Sequence, residues 1–222
     1  MSRTRASNLL LCGLLLGDAL FIGADSLQRR HVLHDVRFLV THDRGYGEVF
    51  QYGKAALGCL LLVRMGSRRS SLAAFTWAGL LLLVLLDDSL ELHEHAGEFL
   101  APRLGLPSVG SLRANQLGEL IFYSGLGALC LTALAVAWWN GDTDDRALSR
   151  LLFPWFAALG FCAVILDAVD SLMRKTAWAV DFALLEDGGE MIVLSFLTAC
   201  VLSAYERSRV LHHSQLLTRQ SP

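Results

Sequence analysis

The chain is short of charge. Only 18% of its 222 residues are Asp, Glu, Lys or Arg, where a soluble domain carries about a quarter. Nor does one sign dominate: 19 Lys and Arg stand against 21 Asp and Glu, a net charge of −2. That balance excludes a basic nucleic-acid-binding protein. Proline is scarce, at four residues, so long helices can run unbroken. The five cysteines, Cys12, Cys59, Cys130, Cys162 and Cys200, show no CxxC spacing and fall in apolar stretches. They read as small core residues and say nothing of redox compartment. Apolar sequence is abundant instead: 54% of residues are hydrophobic and the mean hydropathy is +0.45. This excludes disorder and points to helices in lipid.

A membrane span needs about 17–25 mostly apolar residues. Six segments qualify, at about 8–25, 47–65, 71–92, 116–139, 151–172 and 181–205. The expected fold is all-α: one integral membrane domain over residues 1–222, a bundle of six transmembrane helices. Lys54 interrupts the second span, and Glu186, Asp187 and Glu190 the sixth. Arg3 and Arg5 ahead of Leu9–Leu16 also fit a signal peptide, but the repeat described next needs this segment as a helix. Six spans put both termini on one side. Ten arginines fall on that side against eight basic residues on the other, so the positive-inside rule makes the termini cytoplasmic in an inner or plasma membrane. Membrane lipids are the expected surroundings, nucleic acid is not expected, and a second copy or a membrane partner stays open.

Asp-Ser-Leu occurs three times, at Asp25, Asp88 and Asp170, each time closing an odd-numbered span. Basic pairs follow two of them, Arg29-Arg30 and Arg174-Lys175. Each even-numbered span carries Gly-Glu near its start, at Glu48, Glu119 and Glu190, both intervals being 71 residues. Gly97-Glu98 is a fourth copy outside the scheme. The pattern implies three parallel helical hairpins, over 8–65, 71–139 and 151–205, around a pseudo-threefold axis along the membrane normal.

Depth arithmetic then gathers the acids. At 1.5 Å per residue, Asp25, Glu48, Asp87, Glu119, Asp167, Glu186 and Glu190 all lie roughly 22–30 Å from the cytoplasmic end of their spans. They form one layer near the far boundary of a hydrocarbon core about 30 Å thick. Intramembrane carboxylates face the bundle interior and need a proton, water or a cation there. Lys54 is the only base clearly inside a span. The third span is the richest: Asp87, Glu91, Glu94 and Glu98 share a stripe within about 60°, while His93 points roughly 120° away and needs an unwound turn, or a site between helices, to join it.

Carboxylates with one or two imidazoles suit a divalent cation: Zn, Fe or Mn if histidine binds, Mg or Ca if only oxygen does. The expected ligands are Asp87, Asp88, Glu91, His93, His95, Glu119, Asp170, Glu186 and Glu190, with Glu94 and Glu119 as candidate catalytic bases. The run His93-Glu94-His95 is neither a HExxH zincin motif nor a di-iron Glu-x-x-His pair. Plainer readings stand beside these. Residues 91–98 fit a solvated helix end, Asp25 and Asp170 fit helix-end pairs with Arg29 and Arg174 four residues on, and His31, His34 and His42 fit an interfacial loop.

Asp87-Asp88-(four residues)-His93-Glu94 resembles the D-D-x-x-x-x-H-E motif of a group of uncharacterised polytopic bacterial membrane proteins. Glu186-Asp187-Gly188 is similar to an acidic-acidic-Gly motif in the same group. The resemblance implies Asp87, Asp88, His93, Glu94 and Glu186 as functional positions, and membrane topology with a polar site rather than a reaction. Three functions fit the residues: a metal-dependent enzyme acting on lipid or another amphiphile near the non-cytoplasmic interface, a cation or proton-coupled transporter, and a membrane assembly subunit.

Overall fold

A computed structural model describes residues 4–220, with side chains described for 4–210; Arg3 lies outside the described residues. Regular structure among these residues is helical, apart from an isolated bridge between Val109 and Leu112. The helices are α1 (Arg5–Arg29), α2 (Tyr46–Arg69), α3 (Leu72–Leu90), α4 (Leu92–Leu104), α5 (Ala114–Asn140), α6 (Thr143–Gly160), α7 (Asp167–Met173) and α8 (Ala179–Gln220). A short 3-10 turn (Val36–Phe38) precedes α2, and a π-helical stretch (Phe161–Leu166) joins α6 to α7.

Five helical stretches are long and apolar enough to cross a membrane: α1, α3, α5, the continuous run Thr143–Met173, and Ala179–Val210 of α8. At 24 residues α2 is long enough, but Glu48, Lys54 and Arg64 dilute its apolar character and it is not one of the five. Large apolar side chains face outward along the helices, among them Leu20, Leu129 and Leu131. Water would penalise that surface and lipid does not. Trp139 at the end of α5 and Trp178 just before α8 are both exposed, as befits aromatic anchors at the two interfaces.

Local signals set the helix ends. Ser71 caps α3 by accepting the Ala74 N–H at 3.0 Å. Asp142 caps α6 by accepting the N–H groups of Asp144 and Asp145 at 2.9 and 2.8 Å. Such caps satisfy amides that a helix start leaves without partners. The break between α3 and α4 is at Glu91, a non-glycine residue in the left-handed region (φ 52°, ψ 42°). This single residue turns the chain so that α4 departs from the line of α3.

At the centre, α8 packs against α1, α2 and α6. Leu62, Trp77, Leu81, Leu152, Leu194, Leu197 and Val201 form its apolar core. All belong to the half of the bundle where α2 ends and α3 begins. The helices are unequal in this packing: the apolar window of α8 is mostly buried, whereas little of that of α5 is. Inside the bundle, Lys54 on α2 is ion-paired with Asp18 on α1, both almost fully buried. Lys54 Nζ also donates to the Met191 carbonyl at 2.9 Å, and Ser195 Oγ donates to Asp18 at 2.6 Å. A buried pair survives only when its remaining hydrogen-bonding capacity is met in this way.

Candidate functional site

The opposite end of the bundle opens into a chamber of about 510 Å³. Its walls carry eleven carboxylates: Asp43 from the loop before α2, Glu48 from α2, Asp88 from α3, Glu91, Glu94 and Glu98 from the turn and α4, Glu119 from α5, Asp167 from α7, and Glu186, Asp187 and Glu190 from α8. Facing them are two guanidiniums, Arg113 and Arg174, with His42, His93 and the amides of Asn115, Gln116 and Gln51. Of the acids expected at one depth, Glu48, Glu119, Asp167, Glu186 and Glu190 share this cavity, although separate helices contribute them; Asp25 and Asp87 do not line it.

The break at Glu91 builds the centre of the wall. By turning the chain it brings His93 back over the end of α3, where the His93 N–H donates to Asp87 Oδ1 at 3.0 Å. The other carboxylate oxygen of Asp87 accepts the Tyr123 hydroxyl at 3.2 Å. It also lies 3.3 Å from His93 Nδ1, a charge contact rather than a well-aligned hydrogen bond. The imidazole stacks on the Tyr123 ring, centroids 5.3 Å apart. Burial opposes a charge on His93, but the Asp87 carboxylate, helped by Glu119 and Glu94, outweighs it and raises the His93 pKa above its ordinary value. Glu94 is also raised, by burial and by Asp43, Glu91 and Glu98, against the opposing pull of His93.

Glycine lets α4 lie close enough to α5 to complete the wall. A Cβ on Gly118 would stand 2.6 Å from the Gly97 carbonyl oxygen, and one on Gly97 would stand 2.6 Å from the Asn115 carbonyl and from Glu119 Cγ. The extra Gly97-Glu98 copy is therefore the contact point of the two helices. Glu119 sits beside it, 8% exposed. Among the described residues it has no hydrogen-bond or ion-pair partner, and it lines the chamber.

Not every expected residue reaches the chamber. Asp87 lies behind its wall as the anchor of His93 and Tyr123. His95 is exposed, with Nδ1 2.7 Å from the Glu91 carbonyl. Asp170 lies 3.5 Å from Arg174 and is turned away, holding a guanidinium that does line the cavity. Asp25 is bound by Arg29 at 2.6 and 3.1 Å and accepts the Val40 N–H at 3.0 Å. It is a clamp that folds the loop carrying Thr41, His42 and Asp43 over the chamber mouth. The helix-end reading of Asp25 and Asp170 is the one their geometry matches. Asp88, Glu91, His93, Glu94, Glu119, Glu186 and Glu190 do line the chamber, though Glu91 also pairs with Arg44 at 3.0 Å.

Sequence reasoning missed Asp43, Arg113, Asn115 and Gln116, which lie in loops or at a helix start where no periodicity marks the inward face. Among the described residues no three His, Cys, Asp or Glu side chains converge as ligands around one point. The carboxylates line the walls of a roomy cavity instead. No curated protein and no solved structure matches the chain. Over residues 7–204 it matches a family described only as a domain of unknown function, DUF8692, and the chain belongs to that family.

Proposed function

We propose that the protein is a six-span integral membrane protein that holds a divalent cation in the acidic chamber and acts there, as a metal-dependent enzyme, on the head of a lipid or another amphiphile. The observation that carries this reading is the imbalance in the chamber wall, eleven carboxylates against two guanidiniums. Carboxylates crowded at the edge of a membrane repel one another and lose hydration, so a cation is stabilised among them. In this reading α2 is the sixth span, its Lys54 neutralised by Asp18, and the three Asp-Ser-Leu turns mark the chamber end as the non-cytoplasmic face.

Only one or two imidazoles reach the chamber, so its donors are mainly oxygen. Of Zn, Fe and Mn, that set suits Mn. With no three side chains convergent, the fit is to an ion that keeps several of its waters and meets the protein through one or two carboxylates. Asp88, Glu186 and Glu190 are the ligand candidates from α3 and α8 in the wall, and a bound cation would supply an acidified water. Glu119, buried and without a partner, is placed to take the proton of an attacking water. Asp87 accepts the His93 N–H and faces its Nδ1, as a positioning carboxylate does. Glu94 stands nearer the mouth, beside His93, where it can exchange a proton with solvent.

The test is product formation in proteoliposomes of mixed lipid composition, followed by mass spectrometry with added manganese or with chelator. The expected result is a manganese-dependent head-group product that disappears in Glu119→Gln. An unchanged lipid profile under both conditions, or a product indifferent to Glu119→Gln, overturns the reading. Manganese accumulating inside the vesicles would favour a transporter instead; the apolar core beneath the chamber argues against that route.

A further inference from the structure

The chamber does not end at its polar floor. A second, apolar cavity of about 250 Å³ continues from it between α3, α5, α6 and α8. The two share Gln51, Asp88, Tyr123, Ala163 and Glu190 as common wall. Beyond that rim the lining is apolar apart from Asp87, which is held by His93 and Tyr123, and Leu131 and Phe153, both well exposed, leave the slot open sideways toward lipid. Its α5 wall runs from Tyr123 to Leu134, about 16 Å, which is the length of roughly a dozen methylenes in extended chain. Past Leu134 it meets another apolar cavity, lined by Trp77, Trp138 and Trp139.

Two features show that this is space the fold leaves open. Gly127 and Gly160 line the slot from α5 and α6, and a Cβ built on either meets nothing within 4 Å. The π-helical stretch after Gly160 continues the wall with Ala163, a small residue at the junction. Polar groups without a hydrogen-bond partner among the described residues stand where the slot meets the chamber. Gln51 lines both cavities and Glu119 lines the chamber, and the polar ends of both open onto that space rather than being sealed in protein. A ligand's polar head can meet groups of this kind without displacing a protein partner. Both present acceptor oxygens, in a wall already rich in negative charge.

We infer that the slot holds the single apolar chain of an amphiphile whose head is an amine, the ammonium lying against Glu119 and Gln51 in the chamber. The inference rests on the reading of the chamber as an amphiphile site and names the class of molecule it takes. An anionic head is disfavoured by the surrounding carboxylates, and a slot of about 250 Å³ is the size for one apolar chain.

The experiment uses the full chain in phosphatidylcholine nanodiscs with radiolabelled dodecylamine as probe. The expected result is saturable binding of about one amine per protein, competed by unlabelled dodecylamine and not by dodecyl sulfate. Gly127→Leu and Gly160→Leu, at positions where an added Cβ meets nothing within 4 Å, put a side chain into the slot and weaken binding at least tenfold. Gly125→Leu lies on the same helix outside the slot and leaves binding unchanged, which controls for folding. Equal competition by dodecyl sulfate, or wild-type affinity in both slot-filling variants, overturns the inference. Manganese binding by the wild-type protein in the same nanodiscs is measured in parallel. Manganese binding without amine binding overturns this inference alone, and amine binding without manganese binding overturns the metal reading alone.

Discussion

Replacing Gly118 by alanine tests the architecture of the chamber with one methyl group. The new Cβ would stand 2.6 Å from the Gly97 carbonyl oxygen, 2.9 Å from its Cα and 3.2 Å from its carbonyl carbon, whereas ordinary contact begins at 3.4 Å. All three atoms are backbone, so no side chain can rotate away and α4 must retreat from α5 by the difference. Overpacking of that kind costs about 1–3 kcal/mol. At about 2–4 °C per kcal/mol for a chain of this size, the melting temperature in detergent or nanodiscs should fall by about 2–12 °C. Gly125→Ala is the matched control. It lies on the same helix with nothing within 4 Å of the added methyl, so it should be neutral or gain up to about 1 kcal/mol from helix propensity. Because Glu119 follows Gly118 directly, Gly118→Ala should also weaken divalent-cation binding, and Gly125→Ala should not. If the two variants melt together and bind alike, the close crossing of α4 and α5 is not what shapes the site.

Three further outcomes follow from the same geometry. Lys54→Met leaves Asp18 buried without its partner and should cost about 3–5 kcal/mol, while Lys54→Met with Asp18→Leu should recover most of the loss; a double variant no more stable than the single would contradict the ion pair. Asp87→Asn keeps the side chain's shape but removes the charge beside His93, so an NMR titration of the imidazole should show its pKa falling; no change would mean that Asp87 does not hold His93. His93 and Glu94 both bind their protons more tightly folded than free, so their contributions are full below the ordinary values of 6.5 and 4.5 and are lost as pH rises through the raised ones. The melting temperature of the metal-free protein should therefore fall as pH rises above 4.5, and His93→Phe should flatten that fall above 6.5; an unchanged slope would contradict the sign.

Much of the chamber was legible because a charge in lipid is so costly that depth alone sorts it. Counting 1.5 Å per residue placed Glu48, Glu119, Asp167, Glu186 and Glu190 at one level, and they line one cavity. The same count placed Asp25 there. It could not show that Arg29 and the Val40 amide occupy its carboxylate, because that depends on how the loop folds back. Helical geometry also said that His93 joins Asp87 through an unwound turn or a site between helices, and Glu91 supplies the turn. The turn's location was not readable, since glutamate carries no preference for the left-handed region. Gly97 looked like a stray copy because a glycine's use for close approach depends on a helix that is distant in sequence. The apolar slot left no trace in the pattern either: Gly127, Gly160 and Ala163 are unremarkable in a leucine-rich chain until α5 and α6 are seen to part around them.

The central claim is that a cation holds the chamber's carboxylates together. An experimental structure of the full chain with manganese, phased to show anomalous scattering, addresses it most directly. The account predicts one manganese peak inside the chamber, within bonding distance of at least one of Asp88, Glu186 and Glu190, with the remaining ligands water. A chamber without manganese, its acids paired instead with a neighbouring molecule's bases or turned out toward lipid, would contradict it.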